Sequence, residues 1–143
     1  MKKYLIISVV LIFIACKKDN INGIIVNSTF LQNQSLSENR KLDTIINKTL
    51  KGDWNSLRRL NHFPCGEGSG CYDKGFVITQ IIYKIGEPNF IKMVRKLDKK
   101  ELYGIEDYIR VGLEYGDNNY DGKMDNKNSE TEFPLLMKLL SEK

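Results

Sequence analysis

Oxygen-bearing side chains recur at alternate positions in the stretch GDNNYDGKMDNKNSE, Gly116 to Glu130. Asp117, Asn119, Asp121 and Asp125 stand two or four residues apart, and Gly122 falls where such a loop must bend. Calcium is a hard cation that takes roughly six to eight oxygen ligands. Alternate spacing can supply them from one side of a loop. Glu130 and Glu132 follow as further carboxylates. The same residues also suit a plain helix–helix connection, because Asn and Asp tolerate left-handed backbone and bond their own amides. A metal-free turn accounts for Asn118, Asn119, Asp121 and Gly122. It does not account for oxygens continuing to Asp125, or for the apolar Met124.

With Asp117 as the first position, Asn119 is the third, Asp121 the fifth, Gly122 the sixth, Lys123 the seventh and Asp125 the ninth. The run resembles the first nine positions of an EF-hand or a related dockerin-type loop. The resemblance implies calcium held by Asp117, Asn119, Asp121, the Lys123 carbonyl and Asp125. At the twelfth position the family has a bidentate glutamate, and here stands Asn128. A longer loop would have to bring Glu130 or Glu132 back to the ion. With three loop carboxylates the implied affinity is weak, in the range of about 10⁻⁴ to 10⁻³ M that serves outside the cytosol. The implied role is structural, joining the last two helices.

A second cluster holds His62, Cys65 and Cys71. Two thiols close in sequence and exported to an oxidising space pair as a disulfide. Gly66, Gly68 and Gly70 give the short ring its freedom, and closure is worth about 2 kcal/mol. Zinc held by His62, Cys65 and Cys71 is the alternative, but it lacks a fourth ligand and matches no standard spacing. A thiol nucleophile with His62 as its base is a third possibility, which a disulfide would remove.

The N-terminus supplies an address. Lys2 and Lys3 precede an apolar run from Tyr4 to Ile14, and Ala15 stands before Cys16. This is the order of a secretory signal, and the run is well short of the roughly 20 apolar residues that span a bilayer. Phe13 to Cys16, FIAC, resembles the lipobox of bacterial lipoproteins, with Phe13 where leucine is usual. The resemblance implies cleavage before Cys16, acylation of that cysteine, and a stable membrane anchor of more than one chain. Lys17 stands where an aspartate would signal inner-membrane retention, which points to the outer membrane. The expected organisation is a signal peptide over 1–15, an acylated cysteine and flexible tether over 16–35, and one helical domain over 36–143.

The chain has 143 residues, 41% hydrophobic and 28% charged, with a formal charge of +4. Such a chain can bury a core of its own. Removing Lys2 and Lys3 with the leader leaves 20 of the 22 basic residues against 18 acidic, close to neutral. No basic block runs along the sequence, so no nucleic-acid partner is expected.

Helical spacing carries the domain. Ser35 to Glu38 has the form of a capping box ahead of Leu42, Ile45, Ile46, Thr49 and Leu50. Asp53 can cap a second helix bearing Trp54, Leu57 and Leu60, with Trp54 assigned to core packing. Asp73 can open a third over FVITQIIYKI, where a strand is the rival because the composition is β-rich. Gly86 and Pro88 separate it from a fourth. Asp98 to Glu101 opens a fifth, which contains Gly104 and Gly112. Phe133, Leu136, Met137 and Leu140 make a sixth. The expected fold is all-α: five or six short helices in hairpins, the last pair joined by the acidic loop. The expected role is a non-catalytic binding or structural module with a protein partner and no identified small-molecule substrate. An envelope immunity or inhibitor protein is the alternative.

Overall fold

The structure, a computed structural model, describes residues 19–32 and 34–142. The expected signal peptide, lipobox and acylated Cys16 lie outside these residues. The described chain opens with an antiparallel hairpin, β1 (Asp19–Ile21) and β2 (Ile24–Val26). Asn22 and Gly23 form its turn with φ of 49° and 82°. An Asn-Gly pair favours this left-handed two-residue turn, whose twist matches the flanking strands. A short helix, α1 (Ser28–Leu31), follows.

These elements correct the expectation of a flexible tether over 16–35. Ile24, Val26 and Phe30 are buried in the core, and Phe30 meets Phe63 edge-on at 5.9 Å. The buried Gln80 ties β2 down from both sides. Its carbonyl accepts from the Ile25 amide at 2.7 Å, and its amide donates to the Ile25 carbonyl at 2.9 Å. A side chain thereby satisfies the strand's backbone where a third strand would otherwise be needed.

Eight helices occur among the described residues, so the fold is all-α apart from the hairpin. Helix α2 (Leu36–Leu50) begins at the Ser35–Glu38 capping box and buries Leu42, Ile45, Ile46 and Thr49. Gly52, at φ 85°, ends that segment, and Asp53 caps α3 (Trp54–His62) through the Asn55 amide. Helix α4 (Ser69–Ile85) starts after the left-handed Gly68, ahead of the expected Asp73. Asp73 instead accepts from the Asn27 side chain at 2.7 Å, joining α4 to the hairpin segment. The stretch FVITQIIYKI is helical, and every residue from Lys74 to Ile82 is buried. Its strand-like composition reflects a helix enclosed on all sides, which needs no polar face.

Helix α5 (Glu87–Val94) carries Pro88 in its first turn. Helix α6 (Lys99–Tyr115) opens at the Asp98–Glu101 capping box. It lies against α4 at a glycine crossing. A Cβ on Gly112 would come within 2.3 Å of Gly75, and one on Gly75 within 2.5 Å of the Tyr108 carbonyl. The helical cost of glycine inside α6 is therefore offset by backbone contact that no larger residue allows. The expected final helix is two pieces, α7 (Ser129–Glu132) and α8 (Pro134–Ser141). Pro134 excludes α-conformation at Phe133, whose φ and ψ are −133° and 63°. No helix among the described residues is long and apolar enough to cross a membrane.

Candidate binding surface

The acidic loop leaves α6 at Gly116 and is fastened at its root. Asn118 accepts from the Thr79 hydroxyl at 2.8 Å and donates to the Gly112 carbonyl at 3.0 Å. Asp117 accepts from the amides of Asp121 (2.9 Å) and Gly122 (3.0 Å). Asn119 also accepts from the Asp121 amide, at 3.0 Å, and Asp121 accepts from that of Lys123 at 2.9 Å. Asp125 reaches back to the Asn118 amide at 2.6 Å. Gly122, at φ 86°, supplies the sharp bend expected of it. The first half of the loop is thus a compact set of turns closed by its own carboxylates.

Glu130 and Glu132 make their bonds to partners outside that half. Glu130 pairs with Arg110 at 2.7 Å, which holds its carboxyl below the usual range. Glu132 accepts from the Tyr83 hydroxyl, whose pKa is raised by burial and by that carboxylate. No group of three or more His, Cys, Asp and Glu side chains among the described residues is gathered to hold a metal. As arranged, the carboxylates of the loop and of Glu130 and Glu132 serve local hydrogen bonds and an ion pair.

The cysteines resolve differently. Cys65 and Cys71 are joined, with an S–S length of 2.02 Å. Gly70, within the ring, approaches its other end so closely that a Cβ there would meet the Cys65 carbonyl at 2.1 Å. Both sulfurs are consumed, which removes the zinc and thiol-nucleophile alternatives. His62 turns elsewhere, its Nε2 standing 3.1 Å from Glu101 Oε1. Arg58 Nε donates to the same oxygen, and the Asp98 amide donates to the other at 2.9 Å. Burial alone would raise the Glu101 carboxyl, but Asp98, His62 and Arg58 together hold it low. Arg58 and His62 thereby line an open basic groove with Lys48 and Arg59, alongside Asp53 and Asn55. A second groove places Lys51, Lys92 and Lys96 around Trp54, which is half-buried and packs against the core as expected. Sequence reading missed both basic grooves, because the first joins α2 to α3 and the second draws on α2 to α5.

One further cation is buried. Lys74 Nζ donates to the carbonyls of Asn61 and Phe63, the latter at 2.8 Å, and sits 4.1 Å from the Tyr108 ring centroid. It closes the C-terminal end of α3. Burial pushes its ammonium down to about 7.

The most distinctive exposed surface lies over α4, α6 and the acidic loop. Tyr72 and Tyr115 stack with centroids 4.6 Å apart and an interplanar angle of 15°. Tyr120 and Met124 stand beside them in the loop, and all four are exposed. Together with Ile25 and Phe76 they border a cleft of about 200 Å³. Tyr120 is held in left-handed backbone, φ 62°, so the turn itself directs this side chain. Only Met124 of this patch stood out in the sequence. Tyr72, Tyr115 and Tyr120 come from separate segments, and their spacing carries no periodic signal. No protein family, no curated protein and no solved structure matches this chain.

Proposed function

We propose that the chain is an acylated lipoprotein of the bacterial envelope, anchored through Cys16 in the outer membrane, whose helical domain is a non-catalytic protein-binding module. The observation that carries the binding role is the Tyr72–Tyr115–Tyr120–Met124 patch. Tyrosine and methionine are enriched at protein interfaces, tyrosine because it gives a large contact area at small entropic cost and methionine because it adapts to irregular surfaces. Here the patch stands on two packed helices and a self-bonded loop, so little further ordering is needed on association. The anchor is supported by the order and spacing of the residues from Lys2 to Cys16. A photo-crosslinking residue at Tyr120 in the full chain, activated in intact cells, should yield one discrete protein adduct. The Tyr72→Ala/Tyr115→Ala background should abolish it. Absence of any adduct from both Tyr120 and Met124 positions would remove the binding role for this surface.

Calcium is a second reading, favoured by Gly122 in the bend that the sixth loop position requires. An ion would have to draw Asp117, Asp121 and Asp125 together against the hydrogen bonds they now make. Calcium at several millimolar should then raise the melting temperature, and Asp121→Ala should cancel the rise. An unchanged melting temperature would leave the loop as a polar turn. The immunity or inhibitor role is a special case of the binding module. It would make the crosslinked adduct an antibacterial effector, and expression of the chain would protect cells exposed to that effector.

A further inference from the structure

The anchor and the first strand are separated by only Lys17 and Lys18. Consecutive Cα atoms are about 3.8 Å apart, so Cys16 stands within about 11 Å of Asp19 whatever path the chain takes. A tether running to residue 35 would have left the domain free to tumble well above the membrane. With the hairpin folded into the core, that freedom is gone. If Cys16 is acylated, the N-terminal face of the domain lies at the bilayer surface.

That face carries a groove of about 490 Å³, lined by residues that include Asn20, Ile21, Leu31, Leu36, Arg40 and Asp43. Ile21 and Leu31 are half-buried, and they pack against the core while still lining the groove. Leu36 is 80% exposed, the most exposed large apolar side chain among the described residues. It sits on the first turn of α2, held outward by the Ser35–Glu38 capping box. Arg40 stands one turn further along, with Lys41 beside it, and Lys17 and Lys18 come from the connection itself. An exposed leucine flanked by long basic side chains suits the headgroup boundary, where apolar atoms enter and charged ends stay among phosphates.

We propose that this groove is a membrane-docking face: Leu36 and the apolar floor enter the headgroup layer of the bilayer that holds the Cys16 anchor. The occupant is the lipid headgroup layer rather than a protein, because the short connection brings lipid to this face before any other partner can reach it. The inference rests on the anchor proposed above, and its test separates the two.

Full-length chain carrying Leu36→Cys, with Cys16 and the Cys65–Cys71 bridge unchanged, offers one thiol for a fluorophore once Cys16 is acylated. Leu135→Cys on α8 is the matched control, since Leu135 is also exposed and α8 makes no close packing with β1, β2 or α2. Each protein is purified from the envelope and reconstituted into phosphatidylethanolamine–phosphatidylglycerol vesicles that contain a headgroup-region quencher lipid. Flotation and the intact mass report the anchor, and quenching reports docking. The expected result is flotation of both proteins, an acyl mass on Cys16, and severalfold stronger quenching at position 36 than at 135. Flotation with equal, weak quenching at both positions would overturn docking and leave the anchor standing. A fluorophore at position 36 that is immobilised but unquenched would mean that protein, including a second copy of this chain, covers the face, and would also overturn it. Absence of both flotation and acyl mass would overturn the anchor, and docking with it. Leu36→Glu, exposed enough to leave the fold intact, should lower quenching from a label at Arg40→Cys while flotation persists.

Discussion

At the scale of single residues, two buried ionisable groups make stability rise with pH in two separate windows. Lys74 has its ammonium pushed down to about 7 by burial, whereas an unfolded lysine titrates near 10.4. Between those values the unfolded chain keeps a proton that the folded chain has released. Stability must therefore rise with pH across that window, by at most about 1.4 kcal/mol per pH unit. Chemical denaturation between about pH 7 and 9.5, below the tyrosine range, should give that rise, and Lys74→Met should flatten it. A flat profile in the unmodified protein would mean that the Asn61 and Phe63 carbonyls keep Lys74 charged. Glu101 acts in the same direction at lower pH. Its carboxyl is lowered overall, with the bonds from Asp98, His62 and Arg58 outweighing burial. The stability it contributes is present above the unfolded carboxylate value and is lost as pH falls through the lower folded one. Glu101→Gln should destabilise by about 1–3 kcal/mol, the usual range for losing bonds to a charged group. The loss should be measurable at pH 7 and shrink toward pH 3. A loss that stays constant with pH would mean that the Glu101 charge contributes nothing.

At the scale of elements, the α4–α6 crossing controls the molecule. Gly75 and Gly112 meet backbone to backbone, so an added methyl must push two long helices apart. Gly112→Ala should cost about 1–3 kcal/mol or more despite alanine's higher helix propensity, whereas Gly104→Ala meets only the Asn61 side-chain amide. Thermal melts of the two variants should rank Gly112→Ala well below Gly104→Ala, and equal melting temperatures would exclude a tight crossing. The helices themselves were legible from sequence because their evidence is local. Ser35 and Asp98 sit three residues ahead of a glutamate, and the apolar stripes repeat at helical spacing. What surrounds α4 was not legible: its apolar residues occupy every side, so periodicity could not separate helix from strand. The basic grooves and the tyrosine patch were equally hidden, since each is assembled from several helices or loops that only packing brings together. The acidic loop was legible as a bend at Gly122, but not in its ends. Glu130 and Glu132 are claimed by Arg110 and Tyr83, partners far away in sequence.

At the scale of the whole molecule, the N-terminal hairpin moves the boundary of the fold. Asn, Ser and Gln around it suggest a linker, and the Asn22-Gly23 pair between Ile21 and Ile24 was the signal that it is not. Ile24, Val26 and Phe30 are at most 1% exposed, and each fully buried apolar side chain contributes about 1.5–3 kcal/mol as an upper estimate. Their sum is comparable with the roughly 5–15 kcal/mol by which a native domain is stable. Removing them also strands Gln80, which is buried and bonded to both backbone groups of Ile25. A chain starting at Asp19 should therefore fold cooperatively, and one starting at Leu36 should not, although both contain the helices α2 to α8. Circular dichroism melts of the two chains decide the matter. A sharp transition of equal midpoint in the shorter chain would show that the hairpin merely rests on a complete core, and would restore the long tether. Loss of the transition would make residues 19–32 an integral layer of the fold, and would shorten to two residues the connection between the domain and the proposed Cys16 anchor.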